Sequence, residues 1–341
     1  MRHGDVSGPV SIPDQPPSLE AFLAIDLQPV PVLPVVAALL AAAYTSGWIR
    51  LRWLGRPWPA WRALLFLLGC AIIAAVTATR LEGYGYALFS VFMFQQLTLM
   101  MAVPPLLVLG SPGTLLLRAM PHHGIGLSLL RLAVWGLRSS FSRFLLHPGL
   151  MVPLFLFAFY GIYLSKMADS LLRTWPGHLG LELFFLAAGI LFTIPLISAD
   201  PLPRRQSHLG RLFDLFAEMP LHAFFGVIVM MAVTPLIPYF GEPPPSWGID
   251  PVADQGIAGA LAWSYGEAPT LALALVLLGR WYRDDTRRAH VRDARIDRTG
   301  DPELEAYNSY LRRLQARDHD QGIESGSHQP RPRDDHPSEA T

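Results

Sequence analysis

His178 and Glu182 stand four residues apart, a spacing that puts an imidazole and a carboxylate on one face of a helix. Both side chains ligate metals, but two ligands do not complete a site, and taken alone the pair favours a polar cap at the outer membrane surface. Met93, Gln96 and Met100 recur at i, i+3 and i+7 and also share a face. Thioethers on one face hold Cu(I), because soft ligands select soft ions. Methionine is also a common gap filler of packed helices. Gln95 and Gln96 lie among Phe92, Phe94, Leu97 and Met101, where their amides can bond across helices. Glu242, Asp250 and Asp254, followed by Gln255, form an acidic stretch that attracts cations or simply meets solvent. Glu267 sits inside the last apolar run, with Tyr265 beside it; a break at Gly266 or Pro269 would relieve the cost of burying it. His222 is expected at the other bilayer surface from His178, too far away to share a small site.

Other chemistries lack their residues. No GxxxxGK[ST], GxSxG, HExxH or CxxCH occurs. The single cysteine, Cys70, excludes an intrachain disulfide or a CxxC thiolate pair. Bis-histidine haem ligation needs facing histidines at one depth, which the apolar runs do not offer. The formal net charge is zero, and nothing recommends nucleic acid as a partner.

The elements that position these residues are membrane spans. Hydrophobic residues make up 51% of the 341 residues and charged ones 16%, with a mean hydropathy of +0.31, so a bilayer must supply part of the solvent. A span needs roughly 20 mostly apolar residues. Stretches of that kind run roughly over 30–49, 62–79, 85–109, 149–166, 180–198, 219–238 and 256–279, which predicts an all-α integral membrane bundle of about seven transmembrane helices. Between the third and fourth, Ser111 to Leu145 alternates leucines with Arg118, Arg131, Arg138 and Arg143, a pattern for helices lying in the interface.

Arginine counts orient the bundle, since cations resist translocation. Arg50, Arg52, Arg56 and Arg62 follow the first span, the four arginines just named follow the third, and Arg204, Arg205 and Arg211 follow the fifth. Those loops are expected to be cytoplasmic, which puts the N-terminus outside. Arg280, Arg283, Arg287 and Arg288 put the C-terminus inside. Residues 1–29, rich in proline and acidic side chains, are expected to be a disordered extracytoplasmic segment before a retained first span. The transmembrane domain covers 30–280. A charged cytoplasmic tail, 281–341, holds one short amphipathic helix near Leu304 to Leu314 and is expected to be disordered from Asp318.

Longer runs carry a resemblance. FSVFMFQQLTLMMAVPPLLVLGSPGTLLLRAMP at Phe89 to Pro121, LAAGILFTIPLISADPLP at Leu186 to Pro203, DQGIAGALAW at Asp254 to Trp263 and AYNSYLRRLQAR at Ala306 to Arg317 resemble the CtaG-type cytochrome c oxidase assembly factors. The resemblance implies a multi-span bacterial plasma membrane protein, not an enzyme, that helps mature the copper centre of a haem-copper oxidase. Its implied partners are oxidase subunits or a copper chaperone, and copper is the implied metal. The family pattern His-Met-x-Gln-His falls on Phe92, Met93, Phe94, Gln95 and Gln96, so both histidines are replaced. In the family's His-x-x-x-His, His178 is kept and the second position is Glu182; Asp254 and Gln255 match.

The expectation is therefore a weak copper site at Met93, His178 and Glu182, anchored by Asp254, in an assembly factor. The rival reading is a membrane transporter for copper or another small cation, with Met93, Gln96 and Met100 lining its path.

Overall fold

The computed structural model describes residues 6–121, 131, 139–198, 200, 207–299 and 302–326. The chain divides into two compact units, Met1–Gly279 and Arg280–Thr341. Its helices are, in order, α1 (Leu19–Leu23), α2 (Val32–Trp53), α3 (Ala60–Thr77), α4 (Arg80–Gly85) and α5 (Phe89–Leu97). A π-turn, Thr98–Ala102, joins α5 to α6 (Val103–Leu109), followed by α7 (Pro112–Ala119), α8 (Ser140–Leu145) and α9 (Pro148–Leu156), which ends in a second π-turn, Phe157–Gly161. Then come α10 (Met167–Leu172), α11 (Trp175–Ile197), α12 (His208–Met231), α13 (Pro251–Ser264), α14 (Glu267–Thr299) and α15 (Pro302–Gly326).

Among the described residues six helical stretches are long and apolar enough to cross a membrane, and the apolar Gly149–Gly161 is a shorter seventh. The all-α bundle is as expected, with differences at its prolines. The fourth stretch is short because its helix ends soon after the π-turn. The sixth runs over His208–Met231 instead of 219–238, since Pro235 and Pro238 cannot continue it and Ser207 caps its start by accepting from the Gly210 N–H. This shift makes His222 the fifteenth residue of α12, well inside the span and not at its end. The last span breaks at Tyr265 and Gly266, between α13 and α14.

Residues 6–29 are not disordered as expected but laced across one end of the bundle. Gln28 exchanges two hydrogen bonds with the Ser11 backbone at 2.9 and 3.0 Å, and the Tyr84 hydroxyl donates to the Gln15 carbonyl at 3.0 Å. Ala21, Tyr84 and Trp247 pack beneath. Polar side chains bonding backbone offset the helix-breaking prolines, a possibility composition does not reveal. In the second unit, α15 extends past Asp318 to Gly326 and is longer than the expected tail helix. Arg138, Arg204, Arg205 and the tail from 327 lie outside the described residues.

The span that begins with α5 forms the hub: 78% of its apolar window is buried, against 17% for α2. It packs against α13 through α5, against α11 through its π-turn and α6, and against α3 through α6. Asp254 of α13 fixes its start, accepting from the N–H groups of Phe89 at 2.7 Å and Ser90 at 3.2 Å and from the Ser90 hydroxyl. Asp200 repeats the device at α7, accepting from the Gly113 and Thr114 N–H groups at 3.1 and 2.7 Å. A carboxylate from a distant element thus satisfies helix N–H groups that no local side chain reaches.

Candidate metal centre

Two elements, α4 and α11, bring three candidate ligands to the end of the bundle covered by the N-terminal segment. Thr174 caps α11 by accepting from the Gly177 N–H at 3.2 Å. This register directs His178 and Glu182, one turn apart, inward at the first two turns. The short α4 turns back between the second and third spans and points Glu82 at the same place. Glu82 Oε1 lies 3.7 Å from His178 Nε2, and Glu182 Oε1 lies 3.9 Å from it. One ligand atom from each of the three falls within 4.8 Å of the others. From the hub helix, Gln95 Nε2 donates to Glu82 Oε2 at 2.7 Å and to the Val76 carbonyl at 2.8 Å. Gly85 leaves room for this amide, because a Cβ there would strike Gln95 Oε1.

The cluster is buried and under-satisfied. His178 is 0% exposed, Glu82 and Glu182 4% each. Among the described residues, both ring nitrogens of His178, Glu182 Oε1 and Gln95 Oε1 find no hydrogen-bond partner. Such atoms cost on the order of 1–3 kcal/mol each when buried. Burial pushes the Glu82 carboxyl up to about 7, opposed by its hydrogen bonds to Glu182 and Gln95. Two carboxyl groups this close cannot both be charged without a cation. Tyr86 stacks on the His178 ring at 3.8 Å between centroids, and Phe92 leans on it at 5.3 Å, making an aromatic wall. A cavity of about 20 Å³, room for one water, opens beside Glu82 and Glu182 and is bordered by Gln28, Pro31 and Trp175.

One imidazole and two carboxylates form a nitrogen–oxygen donor set. Fully deprotonated, it carries two negative charges, which one divalent ion neutralises. The residues fit borderline divalent ions, Cu(II) or Zn(II), better than Cu(I), which prefers sulfur.

The structure brings together His178, Glu182 and, through Glu82, Gln95. Met93 is fully buried among the core aromatics around Phe89 and Phe159, and the third ligand atom near His178 comes from Glu82. Gln96 is also buried, with neither amide atom hydrogen-bonded. Asp254 holds the start of α5, as described. Gln255 ties down the chain after α12, accepting from the Leu236 N–H at 2.7 Å and donating to the Thr234 and Ala232 carbonyls at 3.1 and 3.3 Å. Sequence reasoning missed Glu82. Its signal was a lone carboxylate between two spans, next to the glycines and tyrosines of LEGYGY, and nothing in the local pattern separates it from a solvated loop charge.

Comparison with known proteins places this geometry in context. The family model described as cytochrome c oxidase caa3 assembly factor (Caa3_CtaG) matches residues 42–284. Proteins of Mycobacterium bovis, Mycobacterium tuberculosis and Mycobacterium leprae, each described as uncharacterized, are 36% identical over 304 residues, covering 88% of this chain and 46% of theirs. The chain thus spans about half the length of the curated relatives it matches. No solved structure matches.

Proposed function

The chain belongs to the cytochrome c oxidase caa3 assembly factor family, and from that premise we propose that it serves, without catalysing a reaction, in maturation of the oxidase's copper centre by holding copper in transit at Glu82, His178 and Glu182. The observation that carries this reading is the convergence of the Glu82 and Glu182 carboxylates on His178 Nε2, which has no hydrogen-bond partner among the described residues. Copper is cargo here, held by an imidazole and two carboxylates and released to an oxidase subunit or a copper chaperone. The arginine distribution supports a bacterial plasma membrane orientation with the triad at the outer face.

The test is genetic. Deletion of the gene in its host lowers oxidase activity, added copper restores it, and wild type but not His178→Ala complements the deletion. Normal oxidase activity with altered copper accumulation would instead favour transport. Outside labelling of Ser246→Cys, with Ser139→Cys protected, checks the orientation.

A further inference from the structure

A second group of polar side chains lies away from the triad, with His222 and Met101 buried and Glu267 half exposed. His222 of α12 is 0% exposed. Its Nδ1 faces the Glu218 carbonyl one turn earlier at 3.1 Å. The carbonyl can only accept, so Nδ1 carries the proton and Nε2 presents a lone pair. That nitrogen is buried and has no hydrogen-bond partner. A ring nitrogen tied to a backbone carbonyl, leaving the other free, is the arrangement in which histidine ligates metals.

Nε2 points at the break between α13 and α14. Glu267 Oε1 lies 3.9 Å away. Gly266 keeps the intervening space open, since a Cβ there would meet His222 Nε2 at 2.9 Å and Met101 Cε at 2.8 Å. The end of the Met101 side chain and the imidazole nitrogen therefore border one small space. Met101 lies in the π-turn Thr98–Ala102, a kind of local helix distortion frequent at functional sites. The Tyr265 and Thr98 hydroxyls, 3.0 Å apart, link this turn to the break in the last span.

We propose that Met101, His222 and Glu267 form a second metal site, one that takes a soft monovalent cation, Cu(I). The donors are a thioether, a neutral imidazole and one carboxylate. Sulfur and imidazole select Cu(I), and the half-exposed Glu267 supplies the one negative charge that balances a single positive ion. The triad differs on both counts, with no sulfur and two carboxylates. Along the hub helix, Met101 is six residues beyond Gln95, which places the two sites roughly 9 Å apart in depth at 1.5 Å per residue. This inference stands apart from the copper-transit reading of the triad, because the two sites share no residue.

The test is an anaerobic titration of the full-length protein in lipid nanodiscs with Cu(I), in competition with a chromogenic chelator, followed by copper K-edge absorption spectroscopy. The wild type is expected to bind Cu(I) with sulfur among its nearest neighbours. Met101→Leu, which keeps the volume, removes the sulfur signal and weakens binding at least tenfold; Met101→Cys restores sulfur coordination. His222→Gln also weakens binding at least tenfold. Sulfur-free copper, or unchanged affinity in Met101→Leu, overturns the proposal. Loss of Cu(I) in His178→Ala but not in Met101→Leu would assign the ion to the triad, sinking this inference while leaving the other reading intact.

Discussion

The pH response of the triad follows from its burial. Glu82 keeps its proton up to about 7, against an ordinary value of 4.5. A raised acid contributes stability that is fully present below the unfolded value and lost as pH rises through the folded one. Between those limits the shift amounts to about 3 kcal/mol at 1.36 kcal/mol per unit. The metal-free protein should therefore unfold more readily at pH 8 than at pH 5. Metal binding has the opposite sign, since the ligand oxygen must first lose its proton. From pH 8 to pH 6, Cu(II) or Zn(II) affinity should fall about tenfold from Glu82 alone, and by about a further tenfold at pH 5. The measurement is a chelator-competed titration at fixed ionic strength over that range, with thermal unfolding recorded with and without metal. The added stability on metal binding should be larger at pH 8. Glu82→Gln should remove the Glu82 part of the slope and cost at least the roughly 10–100-fold that loss of a supporting partner costs. An affinity flat from pH 5 to pH 8, or an unchanged slope in Glu82→Gln, would refute the assignment of Glu82 as a ligand.

Phe92→His puts an imidazole where a ring already lies 5.3 Å from His178, and should raise divalent metal affinity at least tenfold in the same titration; no change would mean that this position cannot turn a nitrogen toward the ion. Gly85→Ala drives a methyl group into the Gln95 amide that holds Glu82, and should cost about 1–3 kcal/mol in stability and weaken metal binding, measured by thermal unfolding and titration together. Asp254→Ala strands the Phe89 and Ser90 N–H groups. It should destabilise by about 1–3 kcal/mol while leaving metal stoichiometry intact; a lost metal equivalent would make Asp254 part of the site.

Much of the fold is legible from the chain because a bilayer imposes a one-dimensional rule: a span is a run of about 20 apolar residues, countable without knowing its neighbours. The His178 and Glu182 pair is legible for a similar reason, since helical periodicity alone sets them on one face. Where that rule weakens, the reading slips. The start of α12 carries Arg211 and Asp214, so an apolar count begins too late and puts His222 at the wrong depth. The N-terminal segment looks disordered because its order comes from hydrogen bonds to α4 and to its own distant glutamine.

What the tertiary structure alone decided is the company each polar residue keeps. Met93 and Glu82 differ in no local pattern that marks one as core and the other as a neighbour of His178. The fold buries Met93 among aromatics and turns α4 back so that Glu82 meets α11, across 96 residues of sequence from His178. Likewise the acidic Asp254 closes the start of α5 instead of facing cations, and the break at Gly266 sets Glu267 beside His222. Ligand sets depend on contacts between elements remote in sequence, and no periodicity within one element carries that information. The sequence by itself determined the spans and the faces of their helices; packing of the hub helix against α3, α4, α11 and α13, and of α12 against α13, decided which of those faces meet.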